Sequence, residues 1–177
     1  STCDVLAMAS YPDFNLNDPY AAPPGEDEST WIGNTEENVK KLYETVWRNK
    51  ALTDTYEPGS TFKSITAAMG IEEGRINKNS IVSDAPLDLS GWQIRCWRKY
   101  QDHGSETFAD AVKNSCNPVF SKLALDIGID KFYEYIEAFG FKSKTGIVLS
   151  GEANSIFHTN PTEIDMAVTS FGQRVQI

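Results

Sequence analysis

Apolar positions at helical spacing stand out early in the chain. Between residues 35 and 49 they lie three or four positions apart, the period of an amphipathic helix, which predicts a helix over this range. Asn34 and Glu37 stand three residues apart at its start, as the two partners of a capping box do. The apolar positions are Val39, Leu42, Tyr43, Val46 and Trp47.

Five further helices are predicted from apolar spacing combined with residues that start or end helices. Thr107 and Asp130 are placed to cap two of them, and Asn117-Pro118 opens another. The sequence Asn-Pro-Thr-Glu at 160–163 is expected to form a capping box at the start of the last. The predicted ranges are 60–73, Phe108–Asn114, 119–127, 131–139 and 161–171.

Strand signals are few. Residues 3–10, CDVLAMAS, form a short apolar run that ends at Tyr11-Pro12 and predicts one strand. Residues 13–33 are rich in Pro and acidic side chains and predict a surface loop, and residues 77–101 predict a loop with room for one short strand. Trp92 and Trp97 in that second loop either line the mouth of a cleft or pin the loop to the core. The chain is therefore expected to be predominantly α-helical with one or a few short strands.

Composition narrows the classes of partner. The chain has 177 residues, 40% hydrophobic and 23% charged, which is enough for one packed core. Its 16 Lys and Arg against 25 Asp and Glu give a net charge of -9 without a basic cluster, which argues against nucleic acid and anionic membrane surfaces. No apolar run approaches the roughly 20 residues that span a bilayer, so any anchor or export signal is expected outside this sequence.

Cysteine usage points away from metal chemistry. Cys3, Cys96 and Cys116 are odd in number, widely separated, and lack the Cys or His spacing of a zinc site. We expect neither a metal site nor an essential disulfide, and no cofactor.

The sharpest chemical signal is YEPGSTFK at residues 56–63, an S-x-x-K at the predicted start of a helix. The spacing places Ser60 and Lys63 on one helical face, where the amine can act on the hydroxyl. A serine becomes a good nucleophile when a base takes its proton, and a lysine serves as that base when its pKa is lowered. The alternative is that Ser60 is an N-cap and Lys63 a solvated surface residue.

A second signal, Ser115-Cys116-Asn117, falls between two predicted helices. A second hydroxyl can relay a proton to a leaving amine, and an amide side chain can hold a peptide group by donating and accepting hydrogen bonds. The alternative is that Asn117, which precedes Pro118, merely caps the next helix.

Taken together, the two motifs resemble class B penicillin-binding proteins, in which S-x-x-K is followed by an S-x-N. Similar landmarks cover nearly the whole chain: CDVLAMASYPDFN, WRNKALTDTYEPGSTFK, SCN, GFKSKTGIVLSGE and MAVTSFGQRVQI. The resemblance implies an α/β parent fold of the penicillin-binding protein and serine β-lactamase type. It also implies that Ser60, Lys63 and Ser115 are catalytic and that Asn117 binds substrate.

Lys144-Thr145-Gly146 spells a third family motif but stands in the wrong context. It follows the helix-ending Gly140, whereas the catalytic Lys-Thr-Gly strand of the family follows the Gly-Gln segment, which here is Gly172-Gln173. We therefore expect a structural or surface role for Lys144. Residues 1–177 are expected to be an incomplete transpeptidase domain that lacks the C-terminal sheet strands, and weak or absent acylation of Ser60 is expected in this piece alone.

The function implied by the resemblance is that of a peptidoglycan D,D-transpeptidase that forms a serine acyl-enzyme and binds penicillin. Its partners would be stem peptides, β-lactams and wall-synthesis proteins, at the extracytoplasmic face of a bacterial membrane to which the parent is anchored. A β-lactam sensor or non-catalytic pseudoenzyme is an alternative. A class D-like β-lactamase fits less well, because that family has an apolar residue where Asn117 stands.

Overall fold

The computed structural model of the protein describes residues 4–98 and 103–177. Two compact units divide the chain. One takes in the described part of Ser1–Asp54 together with Val148–Ala153, and the other comprises Thr55–Ile147 with Asn154–Ile177. Within the described residues, no helix is long and apolar enough to cross a membrane.

The first unit contains α1 (Glu36–Leu42), continued by a π-helical turn over Tyr43–Trp47, and the short α2 (Lys50–Thr53). The predicted helix over 35–49 is confirmed in its main part, and Leu42, Val46 and Leu52 are buried. The capping-box prediction is wrong: Thr35 is the N-cap, and its hydroxyl accepts a hydrogen bond from Asn38 N.

The strand predicted over 3–10 is also wrong. Residues 4–10 have no regular secondary structure and the Leu6 side chain is 96% exposed, while Cys3 lies outside the described residues. A short apolar run forms a strand when a neighbouring strand accepts its hydrogen bonds and a core covers one face. Neither is present for the described part of this run.

Five α-helices build the described part of the second unit. They are α3 (Lys63–Glu72), α4 (Phe108–Asn114), α5 (Asn117–Ile127), α6 (Ile129–Ala138) and α7 (Glu163–Thr169). Helix α5 lies at the centre and packs against α3, α6 and α7, with most of its residues buried. The predominantly helical fold expected from the sequence is confirmed.

The predicted helix boundaries match the structure more closely than the predicted capping residues do. Thr107 caps α4 as predicted, with its hydroxyl accepting from Asp110 N. Asp130 lies inside the first turn of α6, because Gly128 occupies the N-cap position. The last helix does open with a capping box, but its partners are Thr162 and Asp165.

The loop predicted over 77–101 contains more strand than expected. It carries β1 (Ile81–Ser83), β2 (Leu87–Leu89) and β3 (Trp92–Ile94), while residues 99–101 lie outside the described residues. Strands β2 and β3 form an antiparallel hairpin, and β1 pairs with β4 (Ser105–Thr107). The hairpin turn places Ser90 and Gly91 at φ 52° and 86°, the positive φ at both central positions that a type I′ turn requires.

Candidate active site

Ser60 lies on a 3-10 turn, Gly59–Phe62, that leads directly into α3. The Ser60 residue is exposed, whereas Lys63, one turn further on, is only 4% exposed. The N-cap of the turn is Pro58, and no side chain caps it. The alternative that Ser60 is an N-cap and Lys63 a surface lysine is therefore wrong.

The predicted site residues Ser60, Ser115 and Asn117 all lie within hydrogen-bond distance of the Lys63 amine. Its Nζ lies 3.1 Å from Ser60 Oγ, 2.8 Å from Ser115 Oγ and 2.6 Å from Asn117 Oδ1. It also donates to the Ser115 backbone carbonyl at 2.8 Å. The two motifs, distant in sequence, thus meet at a single buried amine.

Burial lowers the pKa of Lys63 to about 8, because removing an ammonium from water disfavours its charged form. The rings of Phe120 and Phe171 supply part of the low-polarity surroundings, with centroids 5.5 and 5.9 Å from Nζ. Every acceptor in the hydrogen-bond set is uncharged, so none of the four offsets the lost hydration with an opposite charge. At neutral pH a measurable fraction of such an amine is unprotonated and able to accept a proton.

The turn between α4 and α5 places the side chains of Ser115 and Asn117 within hydrogen-bond distance of this amine. Ser115 ends α4 in the left-handed region, with φ 55° and ψ 47°, which turns the chain sharply before α5 begins. Asn117 is the first residue of α5 and follows the N-cap Cys116, which makes no side-chain cap hydrogen bond. The alternative that Asn117 caps this helix is therefore wrong, since its Oδ1 accepts from Lys63.

Cys116 stands between these two residues but faces the core. It is fully buried, and burial raises the pKa of its thiol to about 12. The sulfur therefore stays protonated at neutral pH and is not poised as a nucleophile.

A backbone contact between Gly59 and Gly172, which was not predicted from the sequence, stabilises the turn that carries Ser60. Gly59 N donates to Gly172 O at 2.9 Å, and a Cβ added to Gly172 would stand only 2.0 Å from Gly59 O. The backbones approach this closely because Gly172 has no side chain, and its φ of 78° also favours glycine. The available signal was a Gly directly after the α7 pattern, which sequence reasoning used only as a helix end.

Two other sequence features are the Lys144-Thr145-Gly146 run and Trp97. Lys144, Thr145 and Gly146 are exposed and belong to a loop, and none of them is a hydrogen-bond partner of Lys63 among the described residues. The Trp97 indole N–H donates to Asn114 O at 2.9 Å, which pins the loop beside α4.

An exposed serine at the start of a helix, beside a buried lysine of lowered pKa, is the arrangement by which serine acyl-transfer proteins activate a hydroxyl. The family model for the penicillin binding protein transpeptidase domain matches residues 1–177, and the chain belongs to this family. The family expected from the S-x-x-K and S-x-N motifs is thus confirmed.

Two curated relatives are similar to most of the chain. The chain is 36% identical over 180 residues to stage V sporulation protein D of Bacillus subtilis (strain 168), a match that covers 98% of this chain and 24% of the relative. It is 31% identical over 159 residues to peptidoglycan D,D-transpeptidase MrdA of Acinetobacter baumannii, covering 88% of this chain and 22% of the relative. The chain therefore spans about a quarter of the length of these relatives.

The fold is also found in a solved structure, the apo TP domain of penicillin-binding protein 3 from Burkholderia pseudomallei. The TM-score is 0.67 at 23% sequence identity, over 73% of this chain and 40% of that one. The expected fold, a helix-rich part of a penicillin-binding protein transpeptidase domain, is confirmed by this likeness.

Proposed function

We propose that the protein containing this chain is a peptidoglycan D,D-transpeptidase that works through a Ser60 acyl-enzyme. The observation that carries the proposal is the Lys63 amine, which is buried, has a pKa of about 8 and lies 3.1 Å from Ser60 Oγ. A relative of this chain is named a peptidoglycan D,D-transpeptidase. Residues 1–177 would form an incomplete transpeptidase domain, in keeping with the 40% of the solved domain chain that they cover.

In the first half-reaction, neutral Lys63 takes the Ser60 proton as Oγ attacks the carbonyl between the two D-Ala residues of a stem peptide. The resulting tetrahedral intermediate expels the terminal D-Ala, whose amine must gain a proton to leave. Ser115 Oγ lies 2.8 Å from Lys63 Nζ, so it can pass that proton from the amine to the leaving group. The products are free D-Ala and an ester of Ser60.

In the second half-reaction, the amine of a neighbouring stem peptide attacks the ester. Its proton returns through Lys63 to Ser60 Oγ, the ester C–O bond breaks, and an amide cross-link forms. Asn117 holds the donor peptide through this sequence, because its side chain can donate to a peptide carbonyl while its Oδ1 accepts from Lys63. Lys63 carries the proton in both halves.

The remaining features of the proposal follow from this chemistry. A β-lactam would mimic the D-Ala-D-Ala amide and leave Ser60 acylated. The enzyme would act at the extracytoplasmic face of the cell membrane, where stem peptides are cross-linked, through an anchor outside this sequence and together with wall-synthesis proteins.

The test is the mass of the full-length protein after exposure to a penicillin. We expect one stoichiometric adduct in the wild type, no adduct in Ser60→Ala, and an unchanged adduct in Ser64→Ala. Ser64 is the matched control, since it is an exposed serine on the same helix whose hydroxyl bonds only locally to Thr61 O. An adduct that persists in Ser60→Ala would remove Ser60 from its role. A normal adduct without any peptide cross-linking would favour the β-lactam sensor.

The incomplete-domain proposal is tested separately by giving residues 1–177 the same penicillin. We expect slow or absent acylation, since the family places substrate-binding residues on a further strand. Rapid stoichiometric acylation of the isolated piece would contradict this.

A further inference from the structure

A groove of about 290 Å³ lies between the β2–β3 hairpin and the segment that ends α7, and we call it the hairpin groove. Ile94 on the hairpin and Val168 and Phe171 on the other wall give it an apolar lining. Asn117 contributes to the same lining, so the groove opens directly beside the residue that contacts the Lys63 amine. A chain held by the Asn117 amide can therefore continue into this groove.

The charged residues that line the hairpin groove are both arginines. Arg95 comes from the hairpin and Arg174 from the segment after Phe171, and no acidic residue lies among the described lining residues. Positive charge here is notable because the whole chain carries a net charge of -9. An arginine from each wall is a suitable arrangement for a carboxylate, which the planar guanidinium binds through two parallel hydrogen bonds.

The Arg174 side chain is about half exposed, with 48% of its surface accessible, and its guanidinium contacts a ring of the groove. Its Cζ lies 5.5 Å from the centroid of the Trp92 ring, a cation–π contact with the opposite wall. Its backbone N–H donates to Glu57 Oε1 at 2.9 Å, which fixes the backbone at a φ of 57°. These contacts orient the side chain before any ligand arrives, so less side-chain entropy is lost on binding.

The neighbouring carboxylate only partly neutralises Arg174. Asp165 Oδ1 is 3.7 Å from Nη1, a long ion pair. The other oxygen of Asp165 accepts from Thr162 N at 3.0 Å and Thr162 Oγ1 at 2.7 Å as part of the helix cap. On the hairpin side, Arg95 donates through both Nε and Nη2 to Gln93 Oε1, at 2.8 and 2.5 Å, and this neutral acceptor leaves the arginine charge in place.

We propose that the hairpin groove binds an anionic group of the donor peptide, with Arg174 and Arg95 recognising a carboxylate that lies N-terminal to the scissile D-Ala-D-Ala. This inference rests on the proposed function, since it takes the direction of the donor from Asn117. An extended peptide advances about 3.3–3.6 Å per residue, so a residue next to the reacting pair can reach a lining that includes Asn117 itself. The preferred substrates are peptides with a free carboxylate at that position.

The experiment compares two synthetic donors that end in D-Ala-D-Ala and differ only in the residue before it, which carries either a carboxylate or the matched carboxamide. The rate of Ser60 acylation in the full-length protein is measured for each, and the ratio of the two rates is the readout. We expect the wild type to favour the carboxylate by about tenfold, a value typical of one partly desolvated charge contact. Because it is a ratio, it is insensitive to a change in the fraction of folded enzyme.

Charge-removing variants then locate the recognition. Arg174→Gln and Arg95→Gln are each expected to lower the ratio to about threefold or less, and Arg174→Lys to retain part of it. Gln and Lys face the same positive φ as Arg at position 174, so the comparison isolates the charge. Arg75→Gln is the control, an exposed arginine outside the groove, and it should leave the ratio unchanged. A wild-type ratio near one, or a ratio unaffected in both groove variants, would overturn the inference.

A binding measurement separates this inference from the proposed function. The Ser60→Ala protein, which cannot be acylated through Ser60, is titrated with the same two peptides by calorimetry. Tighter binding of the carboxylate peptide that is lost in Ser60→Ala/Arg174→Gln supports the groove even if Ser60 proves not to be the nucleophile. If Ser60→Ala binds the two peptides equally while the wild-type protein forms the penicillin adduct on Ser60, the groove inference is refuted and the proposed function stands.

Discussion

Lys63 Nζ lies 2.6 Å from Asn117 Oδ1, the shortest of the four polar contacts that surround this amine. The acceptor is a neutral amide, so it positions the amine without stabilising the ammonium as a carboxylate would. Burial therefore sets the pKa of Lys63, which falls to about 8. The lowered pKa of Lys63 therefore depends on residue 117 being a neutral amide and not a carboxylate.

The first prediction concerns the pH dependence of acylation. If Lys63 is the base, the second-order rate of β-lactam acylation should follow its neutral fraction, rising about tenfold per pH unit below the pKa of about 8 and levelling off above it. The measurement is a series of stopped-flow or quenched acylation rates from pH 6 to 10. A rate that does not change across this range would exclude Lys63 as the titrating base.

The second prediction replaces the neutral acceptor with a charged one. Asn117→Asp places a carboxylate beside the ammonium, which should raise the pKa of Lys63 by about 1–3 units and shift the pH midpoint of acylation upward by the same amount. Asn117→Ala is the matched control. It should lower the rate while leaving the midpoint near 8, since burial remains the cause of the shift. Identical midpoints for the Asp and Ala variants would contradict the electrostatic account.

The third prediction concerns stability. The pKa of Lys63 is about 8 in the folded protein against 10.5 as its ordinary value, so the unfolded chain binds more protons between these two pH values. Holding the amine charged and buried therefore costs folding roughly 3–4 kcal/mol below pH 8, a cost that largely disappears as pH rises to 10.5. Lys63→Met should be more stable than wild type at pH 7 by about 1–3 kcal/mol, and the difference should shrink toward pH 10.5.

Urea unfolding of both proteins at pH 7, 8.5 and 10 measures this difference. Lys113→Met, at an exposed position on α4, controls for the change in net charge. A Lys63→Met variant that is less stable than wild type at every pH would mean that the hydrogen bonds of the amine outweigh its desolvation.

The fourth prediction concerns the close approach of Gly172 to Gly59. Gly172→Ala forces a Cβ to within 2.0 Å of Gly59 O, so the Ser60 turn must move. We expect a loss of stability of about 3 kcal/mol or more together with a large fall in acylation rate. Gly140→Ala separates the two causes, because Gly140 has a similar φ of 83° with nothing within 4 Å of an added Cβ.

The Gly140→Ala variant should lose only about 1–2 kcal/mol, the cost of left-handed backbone for alanine, and should keep its acylation rate. Equal losses of stability and of rate in the two variants would show that backbone conformation, and not the contact with Gly59, is responsible.

The local part of the site was predictable from sequence. The three-residue spacing of Ser60 and Lys63 fixes their shared helical face, since that relation depends only on helix geometry. The same holds for Thr107, whose hydroxyl caps the helix that immediately follows it. Such features involve residues within one turn of each other, and local preferences decide them.

The parts that depend on distant residues were not predictable in this way. Asn117 has the sequence of a helix cap, yet Cys116 occupies the N-cap position, and the Asn117 side chain accepts from Lys63, which lies 54 positions away in sequence. The apolar run at residues 4–10 lacks the neighbour that a strand needs. The role of Gly172 depends on a backbone far away in sequence, for which a single chain carries no pattern.

The hydrogen bond from Gly59 N to Gly172 O has a consequence for the order of events during synthesis. Ser60 is translated before residues 61–171, and the backbone that braces its turn follows only after that stretch has been made. A nascent chain that ends before Gly172 should therefore display the serine without holding it in place. A chain that is cut or stopped before Gly172 should likewise hold the serine loosely even though its S-x-x-K run is intact.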